Sequence, residues 1–236
     1  MTPSRQHDGP ARKGDRAAET REVILAAAER LFAERGVSAV SNRQVGEAAG
    51  QGNNFAVGYH FGSRVELVRE IVRRHAEPVE RARAAMLAAA GDSLDVRHWV
   101  DCLIRPYTEH LEALGSPSWY ARFSAQVLTD PVLRQAVVDD ALSGGTVRQV
   151  VEGLNRCLPA LPLPVHLERG GMARTLLSHT CAEREAALAR GEPTTRTSWD
   201  ATATGLVDAI VGLWLAPVTP TGPRRDRQPS PDWSAR

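Results

Sequence analysis

Apolar residues recur at helical spacing from Thr20 onward. In TREVILAAAERLFAERG, Val23, Ile24, Ala27, Leu31 and Phe32 fall on one stripe, and Arg21, Glu22, Glu29, Arg30, Glu34 and Arg35 take the other faces. Thr20 can cap the start and Gly36 can turn the chain past the end, so the pattern predicts a first helix over about residues 20–35. Ser41 followed by Gln44 is a capping-box signature that opens a short helix turning Val45, Ala48 and Ala49 inward and ending at Gly50. A second short helix follows QGNN and runs through Phe55, Val57 and Tyr59 to about Phe61, with Phe55 and Val57 expected in the core. Gly62 stops it. Ser63 with Glu66 then starts a long helix past Arg74, which Pro78 is expected to kink or end.

Beyond residue 78 the periodicity predicts helix after helix, over about 79–90, 95–114, 117–129, 131–142, 146–158, 165–190 and 198–215. Between them stand GDS, LGSP, TDP, SGG, PALPLP and GEPTT, the residues that helix ends require. No stretch alternates as a strand would. The predicted class is all-α: a small N-terminal trihelical domain over residues 19–76 and a larger helical domain over 77–216. A flexible basic arm over 1–18 and a disordered tail over 217–236 are expected to flank them, the tail on its richness in Pro, Thr, Gly and Arg.

Composition narrows the class only slightly. With 42% hydrophobic and 24% charged residues in 236, the chain suits a soluble globular protein. Its longest greasy stretch, GLVDAIVGLWLAPV, is interrupted by Asp208 and is too short to span a bilayer, so a cytoplasmic protein without a membrane partner is expected. Cys102, Cys157 and Cys181 have no paired spacing, which fits a reducing compartment. Net charge is +1. Residues 1–76 hold 12 basic against 9 acidic side chains, and Arg5, Arg12, Lys13 and Arg16 gather ahead of the first helix, where they can track phosphates.

Two short helices joined by a tight turn form a helix-turn-helix, whose rigid second helix can enter the ~12 Å wide major groove while the first crosses the backbone. The order TREVILAAAERLFAERGVSAVSNRQVGEAAG and then YHFGSRVELV over about residues 20–70 resembles the DNA-binding domain of the TetR family of one-component transcriptional regulators. The segment Gln51–Phe61 is one residue longer than is usual in that family and carries NN, as in a similar actinobacterial branch. The resemblance implies that Tyr59 and His60 touch the DNA backbone and nearby bases. Asn53 and Asn54 either cap the second helix or reach adenine edges and phosphates. Ser41 and Arg43 lie where the supporting helix meets phosphate, Arg64 lies at a helix N-terminus, and Arg16 belongs to the basic arm.

The resemblance further implies a homodimer on a palindromic double-stranded operator, and a larger domain that binds a small effector whose arrival respaces the two recognition helices. The chain is then a regulator, in the family's common mode a repressor, and not an enzyme. Trp99, Leu103, Tyr107, His110, Trp119, Tyr120, Phe123, Met172 and His179 are the aromatic, apolar and polar candidates for a pocket suited to a hydrophobic or amphipathic effector. The helices near 165–190 and 198–215 are the dimer candidates, with Leu206, Ile210, Leu213 and Trp214 as an apolar stripe. The competing class is an all-helical binding protein or enzyme without DNA binding. Its one metal-like pair, His179 and Glu183, has no third ligand in view, and no phosphate loop, nucleophile elbow or HExxH accompanies it, so no metal or cofactor is expected.

Overall fold

The computed structural model describes residues 13–53, 55–143 and 145–219, and its elements are ten α-helices among those residues. They are α1 (Lys13–Arg35), α2 (Asn42–Ala48), α3 (Ala56–Phe61), α4 (Arg64–Ala90), α5 (Val96–Leu114), α6 (Tyr120–Thr129), α7 (Pro131–Ser143), α8 (Gly145–Cys157), α9 (Leu163–Ala189) and α10 (Trp199–Leu215).

Helix starts follow side-chain chemistry. Ser41, Ser63, Asp95 and Ser198 each accept a hydrogen bond from a backbone N–H in the first turn of α2, α4, α5 and α10, and at α2 the reciprocal bond from the Ser41 N–H to Gln44 Oε1 completes the capping box. Such caps contribute about 1 kcal/mol each. Thr20 is no cap. The first helix starts at Lys13 because RAAETREV contains nothing that breaks a helix, so the part of the expected arm from residue 13 onward is helical. The rest of that arm, with Arg5 and Arg12, lies outside the described residues, as does the tail beyond residue 219.

Pro78 does not end its helix. α4 continues to Ala90 and merges with the helix expected over 79–90, so the boundary drawn after residue 76 falls inside one unbroken rod. Proline costs about 3 kcal/mol inside a helix. Here His75, Val79 and Arg83 are buried on either side of it, and their packing outweighs the lost backbone bond.

The head comprises α1, α2, α3 and the start of α4, around Ile24, Phe32, Val45, Val57, Phe61 and Leu67, all of them buried. Val23 and Ala48, expected inward, are exposed, while Glu29, expected outward, is buried. In the body, α5 is central and packs on α4, α8 and α10, while α6 joins α9 to α1. At that joint Phe32 of α1 stacks on Phe123 of α6, ring centroids 6.3 Å apart. α5 and α8 approach so closely that a Cβ at Gly153 would meet the Trp99 ring at 2.4 Å.

Candidate functional site

α3 is held by its own period. Val57 and Phe61, one turn apart, dock into the head, so Phe55 and Tyr59, also one turn apart, point the opposite way and are 81% and 86% exposed. Phe55 is therefore a surface residue and not core. Asn53 shapes the turn ahead of α3: its Oδ1 accepts from the Phe55 N–H at 2.9 Å and its carbonyl from the Ala56 N–H at 3.1 Å, while Phe55 itself is the N-cap and no side chain caps the helix. Asn54 lies outside the described residues. Gly50, at φ +67°, makes the reversal between α2 and α3 that a Cβ would strain.

The C-terminal end of α3 is fixed by Arg21, which sequence periodicity places on a solvent face. Its Nη1 donates to the His60 carbonyl at 2.8 Å, its guanidinium lies 4.4 Å from the centre of the Phe61 ring, and Nη2 pairs with Glu70 of α4. Burial works against ionisation of Glu70, but hydrogen bonds from Arg21 and Arg73 hold its carboxyl below the usual range. The His60 ring meets Tyr59 edge-on at 5.2 Å. Aromatic and imidazole groups thus stand on a helix that a side-chain turn leads into and Arg21 holds at its end.

The basic candidates separate. Arg43 is exposed on α2 and pairs only with Glu47 one turn on, at 2.8 Å; that carboxylate's hydrogen bond and charge raise the guanidinium pKa. Arg16 is exposed, on the helical surface of α1 and not on an arm. The Ser41 hydroxyl is exposed at the α2 cap. Arg64 departs from expectation: its Nη1 donates to the Val37 carbonyl and its guanidinium lies over the Phe32 ring at 5.6 Å, so it braces the loop before α2.

The body's pocket candidates also separate. Trp99 is core, against Gly153, with Nε1 donating to the Ser93 carbonyl at 2.9 Å. Tyr107, His110, Tyr120 and Phe123 form the packed joint between head and body. There Tyr120 stacks on His75 of α4 with centroids 3.8 Å apart, and the chain Glu29 Oε2 to His75 Nε2 (3.0 Å) and His75 Nδ1 to His110 Nε2 (2.8 Å) links α1, α4 and α5. Burial and the neighbouring His75 push the His110 pKa down to about 4. Trp119 borders a recess of about 160 Å³ beside Glu29 and His75. Met172 and His179 are exposed on α9. Among the described residues no group of three or more His, Cys, Asp or Glu could hold a metal ion.

Of the nine candidates only Leu103 lines the apolar cavity that the body does contain. This space of about 280 Å³ lies between α5, α7, α8, α9 and α10, walled by Leu103, Val138, Leu142, Val147, Val151, Leu177, Ile210 and Trp214, with Asn155, His166 and Arg174 as its polar side chains. Sequence reasoning missed the wall because aliphatic residues at helical spacing look the same whether they meet a neighbour or a void. The proposed dimer stripe changes in a similar way: Leu206, Ile210 and Trp214 are buried within the chain, and only Leu213 is partly exposed.

The signature described as "Bacterial regulatory proteins, tetR family" matches residues 24–71, the whole of the clamped head apart from the start of α1. The chain is 30% identical over 149 residues to the HTH-type transcriptional repressor AcnR of Corynebacterium glutamicum, covering 61% of this chain and 72% of that relative. The chain belongs to the tetR family. As a tetR-family protein it is a DNA-binding transcriptional regulator. The AcnR repressor of Corynebacterium efficiens is 29% identical over 162 residues, 66% of this chain and 79% of that one. In fold it is similar to NalD, described as the secondary repressor of the MexAB-OprM multidrug efflux pump in Pseudomonas aeruginosa, with a TM-score of 0.53 at 20% identity over 86% of this chain and 99% of that one. No described helix is long and apolar enough to cross a membrane.

Proposed function

We propose that this regulator is a dimeric repressor that places α3 in the major groove of each half of a palindromic operator and leaves it when an effector fills the α5–α10 cavity. The observation that carries the DNA contact is the pair of outward aromatic side chains, Phe55 and Tyr59, on a helix whose other face is locked in the core. One turn apart on the same face, they make a contiguous aromatic surface of the kind that marks an interaction site. Tyr59 and His60 contact backbone and bases, Phe55 joins them, and Arg16, Ser41 and Arg43 serve phosphates. Asn53 presents the helix, and Arg64 stiffens the head from within.

The dimer face is the outer side of α9 and α10, where Met172, Leu176, Ala209 and Leu213 line a shallow apolar surface. Two copies joined there would read half-sites ~34–36 Å apart, a spacing that a small tilt spoils. The tilt reaches the head through α4. Arg69 of α4 pairs with Asp140 of α7 at 2.9 Å, and Val138, Ala141 and Leu142 beside that aspartate line the cavity. An effector that moves α7 therefore pulls on the rod that carries the head.

The test is a mobility shift on the DNA flanking the protein's own gene. Tyr59→Ala or His60→Ala is expected to weaken binding about tenfold or more, with the dimer intact by light scattering. Unchanged binding by both variants would remove the contact assignment.

A further inference from the structure

The rim of the apolar cavity carries charge of one sign. None of its lining residues is Asp or Glu, and its polar members are Asn155, His166 and Arg174. Among the described residues Arg174 has neither an ion-pair partner nor a side-chain hydrogen bond, unlike Arg169 five residues earlier on α9, whose guanidinium donates to the Trp214 and Ala216 carbonyls. Arg174 and Asn155 are exposed, and the His166 ring lies 5.2 Å from Trp214, whose indole is part of the wall. The polar groups therefore stand at the mouth, while Leu103, Val138, Val151 and Ile210 lie along the walls.

Taking the cavity as the effector site, as proposed above, we infer that it accepts an apolar monocarboxylate of medium length, its chain between α5, α7 and α8 and its carboxylate on Arg174. A guanidinium fork matches a carboxylate in bidentate fashion, and Asn155 and His166 can donate to the same head group. A cationic amphiphile would meet Arg174 with no carboxylate to offset it. The volume sets the size: about 280 Å³ holds roughly nine water-sized groups, which suits a chain of medium length.

The experiment is calorimetric titration of the full chain with octanoate, octanol and octylamine. Octanoate is expected to bind at least about tenfold tighter than octanol, with octylamine weakest, and affinity should rise about fourfold per methylene from hexanoate to octanoate. Arg174→Ala should bring octanoate down to the level of octanol and leave octanol unchanged, whereas Val151→Trp, or Leu142→Trp should the first fail to fold, should abolish both. Equal binding of acid and alcohol, with both blocked by the tryptophan, would overturn the carboxylate assignment and leave the cavity reading standing. No binding by any of the three, or binding indifferent to tryptophan, would overturn both. Octanoate binding as described without release of the operator duplex would support the ligand class and remove the effector role.

Discussion

In the head, Ile24, Phe32, Val45, Val57, Phe61 and Leu67 are exposed to 6% or less, and polar clamps from Arg21 and Arg64 hold what the apolar contacts leave loose. In the body, five helices converge and stop short of one another, leaving the cavity of about 280 Å³. A reading head must hold its groove-facing side chains to a fraction of an ångström, and the large apolar side chains at its centre pack closely. A body that responds to a ligand needs contacts left unmade, which the ligand then supplies. The two regions meet at α1–α6 and along α4, and their contrast can be broken or sharpened at named residues.

The largest effect is expected at Glu185, the buried carboxylate through which α9 holds α6. It accepts from the Ala121 and Arg122 backbone N–H groups, from Ser118 Oγ and from Arg122 Nε, at 2.9–3.1 Å. Since α6 also carries Phe123 against the head, Glu185→Ala should destabilise both regions together, by about 3–4 kcal/mol in urea unfolding. Separate transitions for head and body in that variant would show that the joint is weaker than its packing implies.

A smaller effect belongs to the Glu29–His75–His110 chain. An unfolded histidine titrates near pH 6.5, whereas His110 in the folded protein binds its proton only at about 4. Between those values the unfolded chain holds more protons, so this contribution is complete above pH 6.5 and is lost as pH falls toward 4. Allowing for solvent screening of a half-buried ring, the loss is about 1–2 kcal/mol. His110→Gln should flatten the stability profile across that window relative to the parent protein. An identical profile would mean that the histidine is as well solvated folded as unfolded.

How much of this was legible in the sequence differs between the regions for a physical reason. The α2 cap, the short helices and their stops are written in residues three or four apart, and the reading of them needed no tertiary information. Phe55 is exposed for a reason the period contains: two residues from Val57 is about 200° around a helix, so both cannot face one core. Glu29 lies three residues before Phe32, on the buried stripe, but the histidine that makes its burial tolerable is 46 residues away. Arg21 and Arg64 read as surface charge because their partners, the His60 carbonyl and Glu70 for one and the Val37 carbonyl for the other, are at least 27 residues away in sequence. The cavity had no local signature at all, since an unfilled volume is a property of how helices meet.

The two kinds of arginine in the head can be told apart by salt. Arg43→Ala should weaken operator binding evenly across sequences and reduce the slope of log K against log salt by about 1 per protomer, with little change in stability. Arg64→Ala should leave that slope unchanged while lowering stability by about 1–2 kcal/mol, because a buried acceptor and a ring lose their partner. If Arg64→Ala reduces the slope as Arg43→Ala does, its guanidinium leaves Val37 for phosphate when DNA arrives.

The smallest effect is the sharpest test of the outward face of α3. An exposed phenyl ring entering a major groove has one apolar feature to meet there, the thymine methyl group. Covering one such methyl is worth about 0.8 kcal/mol, or fourfold in affinity. Replacing operator thymines singly by deoxyuridine should therefore find a position, repeated in each half-site, at which the parent protein loses about fourfold. Phe55→Ala should show the loss already and be indifferent to deoxyuridine at that position, while Tyr59→Ala keeps the sensitivity. A Phe55→Ala protein that still distinguishes thymine from deoxyuridine everywhere would mean that the ring lies over the backbone, and that the face of α3 reading bases is narrower than its exposure suggests.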